Sequence, residues 1–183
     1  MQPRIILDSK RFALTINRLC YQLIEIHRGF DATVIIGVQP RGIYLSNRIY
    51  AQLSEITGKR ILSGIVDPTF YRDDYRKAEK QLIPKSTTIK FSLENKKVVL
   101  IDDVLFSGRT VRAAMDALLD FGRPSKIELL VLVDRRFTRE LPIQPDYTGK
   151  TIDSLTSENV RVEWQEIEGM DRIWIVPAKT DEG

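Results

Sequence analysis

Val98-Val-Leu-Ile-Asp102-Asp103-Val-Leu-Phe-Ser-Gly-Arg-Thr110 is the stretch from which the architecture of this chain can be read. Val98 to Ile101 is apolar at every position, the pattern of a strand covered on both faces inside a parallel sheet. A turn is expected from Asp102 to Thr110, followed by a helix to Phe121 with Val111, Met115 and Leu118 at core spacing. Gly122 and Pro124 close that helix, and Ile127 to Val133 reads as another doubly buried strand. Ligands of open α/β sheets bind at the carboxyl ends of the strands, where Asp102 and Asp103 stand. The free amides and dipole at the helix start, with the hydroxyls of Ser107 and Thr110, suit a phosphate, and Gly108 lets the backbone come close. Two adjacent carboxylates suit vicinal hydroxyls or Mg²⁺. Together these groups describe a sugar-phosphate site.

Upstream, a helix is expected from Asp8-Ser9 to Arg28, with Phe12, Ile16, Leu19, Leu23 and Ile26 inward and Gly29 as its stop. Thr33 to Val38 is a second doubly apolar strand. The loop Gln39-Pro40-Arg41-Gly42 leads into a helix with Leu45, Ile49, Leu53 and Ile56 inward, ended by Gly58. Ile61 to Val66 and Thr69 to Tyr71 suggest further strand. A long loop is expected over about 72–97, where no periodicity is sustained. After Pro142, Val160 to Trp164 and Ile173 to Val176 read as short alternating strands of a small appendage. Alternating strands and helices imply one α/β domain with a mostly parallel sheet.

The 183 residues are 43% hydrophobic and 29% charged, which excludes a disordered chain, and their length supports a core without disulfide or structural metal. Cys20 is the one cysteine and His27 the one histidine, so an internal disulfide and a Cys/His zinc site are excluded. Cys20 reads as core, His27 as a partner of the helix-end carbonyls, and Trp164 and Trp174 as packing. No long apolar run is present, which points to a cytoplasmic protein without a membrane span. The net charge of +3 conceals a basic front half and an acidic tail. Such a bias is either an ordinary solvated surface or a footprint for phosphates or nucleic acid.

Rival readings of the central segment fail on spacing. A Walker loop requires Lys before Ser/Thr, where this chain has Arg109, and a dinucleotide loop requires three spaced glycines. A receiver domain carries its paired aspartates on the first strand and has no phosphate loop after them. A mere helix cap needs one Asp rather than two followed by Ser-Gly-Arg-Thr.

The segment resembles the 5-phosphoribosyl-1-pyrophosphate (PRPP) motif of type I phosphoribosyltransferases. Several further stretches are similar to the family of bifunctional pyrimidine operon regulators and uracil phosphoribosyltransferases (PyrR): Gly37 to Leu45, Phe70 to Asp74, Val111 to Leu118, Gly122 to Ser125, Val131 to Arg135, Arg139 to Ile143 and Asp146 to Lys150. The resemblance implies a type I phosphoribosyltransferase fold with its core at about 30–140. A hood would come from the N-terminal segment and about 140–183. It further implies that Phe106, Ser107, Gly108, Arg109 and Thr110 hold the 5-phosphate, beside Val104 and Leu105, and that Asp102 and Asp103 hold the ribose hydroxyls. Pro40, Arg41 and Gly42 would receive the Mg²⁺-bound pyrophosphate, and a flexible loop carrying Arg72 would close the site. Asp134, Arg135 and Val160 would lie nearest the uracil. The implied reaction joins uracil to PRPP, giving UMP and pyrophosphate, and needs no protein nucleophile because the leaving group is already activated.

Members of that family also bind pyr leader mRNA in response to uridine nucleotides such as UMP and UTP. The alternative reading is therefore mainly a regulator of transcription attenuation that uses the PRPP site as a nucleotide sensor. Arg18, Arg139 and Lys150 match the RNA-binding residues expected. Asn17, Tyr21 and Gln144 depart from the usual Thr, His and Arg, and Arg136-Phe-Thr138 adds a residue beside the same face. A homodimer or higher homo-oligomer is the expected assembly.

Overall fold

The computed structural model describes residues 3–73, 85–153 and 158–177. Residues 74–84, the middle of the expected loop, and 178–183, the end of the expected hood, lie outside them.

Five parallel strands form the main sheet: β2 (Thr33–Val38), β3 (Leu62–Val66), β4 (Lys97–Leu105), β5 (Lys126–Arg136) and β6 (Tyr147–Asp153), in the order β3-β2-β4-β5-β6. Helices α1 (Ser9–His27) and α2 (Gly42–Thr57) cover one face, and α3 (Arg109–Leu118) covers the other. The pleat of β4 shows why its sequence is apolar throughout. Val99 and Ile101 pack with Phe12, Leu19 and Leu45, whereas Val98 and Leu100 pack with Val111, Ala114 and Leu118. Each such fully buried aliphatic side chain contributes roughly 1.5–3 kcal/mol of transfer free energy.

Several expectations move when the elements are seen in place. β4 does not turn at Asp102. It continues to Leu105, because its ladder to β5 pairs Asp102 with Val131 and Leu105 with Asp134. α1 opens on Asp8, whose carboxylate accepts the Arg11 amide at 2.8 Å. Its buried stripe ends on His27 rather than Ile26, which is 58% exposed, because the residue four beyond Leu23 is His27. Ile56 is likewise exposed. The chain leaves α1 through positive φ at Arg28 and Phe30, not at Gly29. Thr69–Tyr71 is a 3₁₀ turn rather than strand, capped by the buried Asp67 carboxylate at the Thr69 amide (3.0 Å). The second half of the expected loop, though mostly exposed, is tied to the core: Thr88 exchanges two backbone hydrogen bonds with Ile65, and Leu93 is fully buried. β6 joins the main sheet, so the core continues past 140 to Asp153.

The remaining strands, β1 (Arg4–Leu7), β7 (Glu158–Glu163) and β8 (Arg172–Pro177), form an antiparallel sheet in the order β1-β8-β7. With the short helix α4 (Gln165–Glu168) they make a hood from both chain ends. Trp164, fully buried, meets Phe12 edge-on at 5.2 Å and joins hood to core. Among the described residues no helix is long and apolar enough to cross a membrane.

His27 does not serve the helix-end carbonyls. Its Nε2 lies 3.0 Å from Glu128, which also accepts the Tyr147 hydroxyl at 2.8 Å, and its Nδ1 lies 3.1 Å from the Thr33 hydroxyl. Burial depresses the His27 pKa below its ordinary 6.5 despite the nearby carboxylate. For Glu128 burial acts upward, but hydrogen bonds from Lys126 and Tyr147 prevail and hold it below its ordinary 4.5. Both shifts make the unfolded chain the better proton binder in acid. These two groups therefore withdraw stability as pH falls from 7, first His27 and then, below about pH 4.5, Glu128, while Asp102 and Asp103, whose carboxyls are raised by burial, act in the opposite sense. Relative to wild type, the His27→Gln variant is expected to lose less melting temperature between pH 7 and 5, and two profiles that run parallel there would contradict this assignment.

Candidate functional site

The carboxyl ends of β2 and β4 open beneath the hood, and three groups converge there. At the start of α3 the chain turns through Gly108, at φ 93° and with no side-chain cap, so the first amides of the helix face a pocket of about 150 Å³. Val104 to Val111, Asp102 and Arg72 line it. Arg72 donates to the Thr110 hydroxyl at 2.9 Å. The Arg109 guanidinium is instead taken by Glu140 at 2.6 Å and by Asp73, whereas Arg72 is turned onto the Phe106–Thr110 loop at the pocket.

The second group is the carboxylate pair. Asp102 is buried, and its Oδ1 accepts the Asp103 amide at 2.9 Å. Burial, with the neighbouring Asp103 charge added, pushes the Asp102 carboxyl well above the usual range. Asp103 is also raised by burial, but the Arg41 guanidinium 3.4 Å away pulls it back. A pair this reluctant to ionise is suited to cations or hydroxyl donors brought by a ligand.

The third group is the turn between β2 and α2, where the Gln39–Pro40 peptide is cis. A Cβ at Gly42 would stand 2.6 Å from the Ile101 carbonyl oxygen, so the turn lies directly against β4. Arg41 reaches from this turn across to the hood, donating to the Val162 carbonyl at 2.6 Å and to Glu168 at 3.1 Å. Between these elements lies a second pocket of about 510 Å³, lined by Arg41, Asp103, Val104, Val160, Arg161, Val162 and Glu168.

The residues expected from the sequence are thus brought together, with some changes of place. Val160 lines the hood pocket, whereas Asp134 and Arg135 do not and stand behind the Phe106–Thr110 loop. Arg135 is buried with its guanidinium 4.4 Å above the Phe106 ring, and it donates to the Glu158 carbonyl at 2.7 Å. Arg139, expected on an RNA face, donates to Asp134 and to the Phe106 carbonyl and so braces that same loop. Arg18 donates to the Thr148 and Gly149 carbonyls, which sets it beside the exposed Lys150. An open pocket of about 430 Å³ adjoins them, lined by Thr148, Gln144, Arg136, Arg139 and the 79% exposed Phe137. Asn17 is engaged by Gln52, and Tyr21 is exposed. Glu168 is the site residue that sequence reasoning missed. An acidic tail carries no periodic signal to single out one carboxylate.

Among the described residues no three His, Cys, Asp or Glu side chains are grouped to hold a metal. The all-oxygen Asp102–Asp103 pair fits Mg²⁺ that arrives with substrate phosphates, since that ion is commonly held by one or two carboxylates plus phosphate.

The family model described as phosphoribosyl transferase domain matches residues 4–167. A "Bifunctional protein PyrR" of Bacillus cereus is 43% identical over 176 residues, spanning 95% of this chain and 97% of that one. One from Desulfosudis oleivorans is 45% identical over 168 residues, spanning 92% and 93%. Among solved structures, a hypoxanthine phosphoribosyltransferase from Staphylococcus aureus superposes with TM-score 0.68 at 22% identity, covering 93% of this chain and 90% of that one. The hypoxanthine phosphoribosyltransferase of Trypanosoma cruzi gives 0.71 at 15% identity, covering 96% and 97%. These structural likenesses concern the fold alone.

Proposed function

Because the chain belongs to the PyrR family of phosphoribosyl transferase domains, we propose that its site transfers the phosphoribosyl group of PRPP to uracil, forming UMP and releasing pyrophosphate. The observation that carries this reading is the placement of a phosphate-sized pocket, a carboxylate pair and an arginine around one hood-covered opening.

In this reading the α3 amides, Ser107, Thr110 and Arg72 bind the 5-phosphate. Asp102 and Asp103 accept hydrogen bonds from the two ribose hydroxyls. Arg41 and the turn Pro40–Gly42 face the pyrophosphate, and uracil occupies the pocket beside Val160 and Val162. The bond from C1′ to the pyrophosphate oxygen breaks with its electron pair leaving on pyrophosphate. The bond from C1′ to uracil N1 forms, and the N1 proton passes to the departing pyrophosphate. Mg²⁺, when bound with PRPP at Asp102 and Asp103, supplies charge neutralisation for the departing phosphates. The protein's own contribution is alignment of two substrates, a fixed cation at Arg41 and exclusion of water beneath the hood.

The test is PRPP-dependent nucleotide formation with uracil, hypoxanthine and orotate in parallel. Uracil is expected to win clearly, and preference for either other base would overturn the assignment. The second reading, uridine-nucleotide-dependent binding of pyr leader RNA, is supported by Arg136, Arg139 and the exposed Phe137 around the 430 Å³ pocket, with Arg18 bonded to the carbonyl of Thr148 at its wall. Cations there would contact phosphates and Phe137 could stack on an unpaired base. A gel shift at low salt with and without UMP tests it, and unmodulated or absent binding counts against it. We infer a homodimer or higher assembly and a cytoplasmic location from the same family resemblance.

A further inference from the structure

Three acidic side chains stand on α4 and the turn after it, and they are used differently. Glu166 and Asp171 both close on Arg48 at 2.7 Å, and Arg48 lies 5.1 Å above the Trp164 ring, which ties the turn to α2. Glu168 is directed into the site. Its Oε2 accepts the Trp164 amide at 2.7 Å and its Oε1 faces Arg41 Nη2 at 3.1 Å. Because Trp164 is fully buried against Phe12 and Tyr44, this carboxylate is anchored on a rigid point of the backbone. The same Nη2 donates to the Val162 carbonyl at 2.6 Å, and Nε stands 3.4 Å from Asp103. Both hydrogens of Nη2 are therefore used by the hood. The two hydrogens of Nη1 have no acceptor among the described residues.

We propose that Glu168 is the positioning residue for Arg41: it grips one edge of the guanidinium from the hood so that the other edge faces the pyrophosphate of PRPP. The proposal rests on the phosphoribosyl transfer inferred above. An arginine side chain has many rotamers, and one ordered before the substrate arrives leaves less conformational entropy to be lost on binding. The guanidinium fork makes such division of labour natural, one edge for the protein and one for a phosphate. A carboxylate so near a polyanion also repels it. The sign of its net effect on PRPP affinity therefore separates holding Arg41 from merely opposing the ligand.

The experiment is calorimetric titration of the full chain with PRPP and Mg²⁺, beside UMP formation from uracil and thermal unfolding. Glu168→Ala is expected to weaken PRPP binding about tenfold, and Glu168→Gln, which keeps one oxygen acceptor but loses the charge and turns the other oxygen into an amide donor, about threefold. Both effects are expected to vanish in an Arg41→Ala background, an outcome that a purely structural role for Glu168 would not produce. Should Glu168→Ala unfold, Glu168→Gln decides the matter. Unchanged or tighter PRPP binding in Glu168→Gln, or equal weakening with and without Arg41, overturns the proposal. Wild-type protein that binds PRPP but makes no UMP removes the uracil reading and leaves the affinities to judge Glu168. UMP formation with PRPP affinity indifferent to Glu168 removes this proposal alone, and absence of PRPP binding removes both.

Discussion

Asp103→Asn is expected to lower UMP formation from uracil and PRPP by about 100-fold or more while the protein melts at or above the wild-type temperature. The loss follows from place. Asp103 stands between the phosphate loop and Arg41, lines the hood pocket, and in the proposed mechanism holds a ribose hydroxyl in the reacting geometry. Removal of one preorganised polar partner at a reacting centre commonly costs about 10²–10³ in rate. The stability forecast has a separate origin. Burial raises the Asp103 pKa, so its ionised form is disfavoured in the folded state, and a neutral isostere removes that cost at neutral pH. An Asn variant with full activity would sink the site assignment. One that lost activity together with its fold would instead show that the carboxylate is structural.

Gly42→Ala is the second variant with a large expected effect. A methyl group there would meet the Ile101 carbonyl oxygen at 2.6 Å and the Asp102 Cα at 2.8 Å, both backbone atoms of β4 that no rotamer change can move. The turn would have to lift away from the strand that carries the aspartates. Overpacking of this kind costs roughly 1–3 kcal/mol, and a displacement near 1 Å between catalytic groups can cost about 100-fold in rate. Activity with uracil and PRPP is expected to fall by about two orders of magnitude. Gly58→Asn, at the far end of the same helix, is the control. Its φ of 66° tolerates Asn, nothing lies within 4 Å of a Cβ there, and activity is expected to persist. Wild-type rates in Gly42→Ala would show that the turn does not need its contact with β4.

How far the site could be read in the sequence depended on whether its residues are neighbours in the chain. Asp102, Asp103 and Ser107 to Thr110 lie on one strand-turn-helix unit, whose chemistry follows from the unit itself. Arg41 came only from the resemblance of Gly37 to Leu45 to the family, since a lone arginine in a turn carries no chemistry of its own. Glu168 and Arg139 gave no such signal as members of the site. Their roles exist only because α4 and the segment after β5 fold back onto elements far away in sequence. The misplaced Ile26 has a similar origin. Ile26 and His27 both continue the helical spacing after Leu23, and only the Glu128–Tyr147 pair on β5 and β6 makes the histidine the one to bury.

The sequence by itself determined the α/β class, the positions of the doubly buried strands and a helix start after Gly108 whose free amides suit an anion. Each of these is a local matter, of apolar period, glycine freedom and unsatisfied helix-start amides. The tertiary structure decided the rest: that Arg72 rather than Arg109 turns its charge onto the Phe106–Thr110 loop, that Arg135 stacks behind Phe106, and that Arg41 is spanned between β4 and the hood. A charged side chain long enough to choose among partners takes those that its surroundings bring near and desolvate, and those surroundings are assembled from the whole chain.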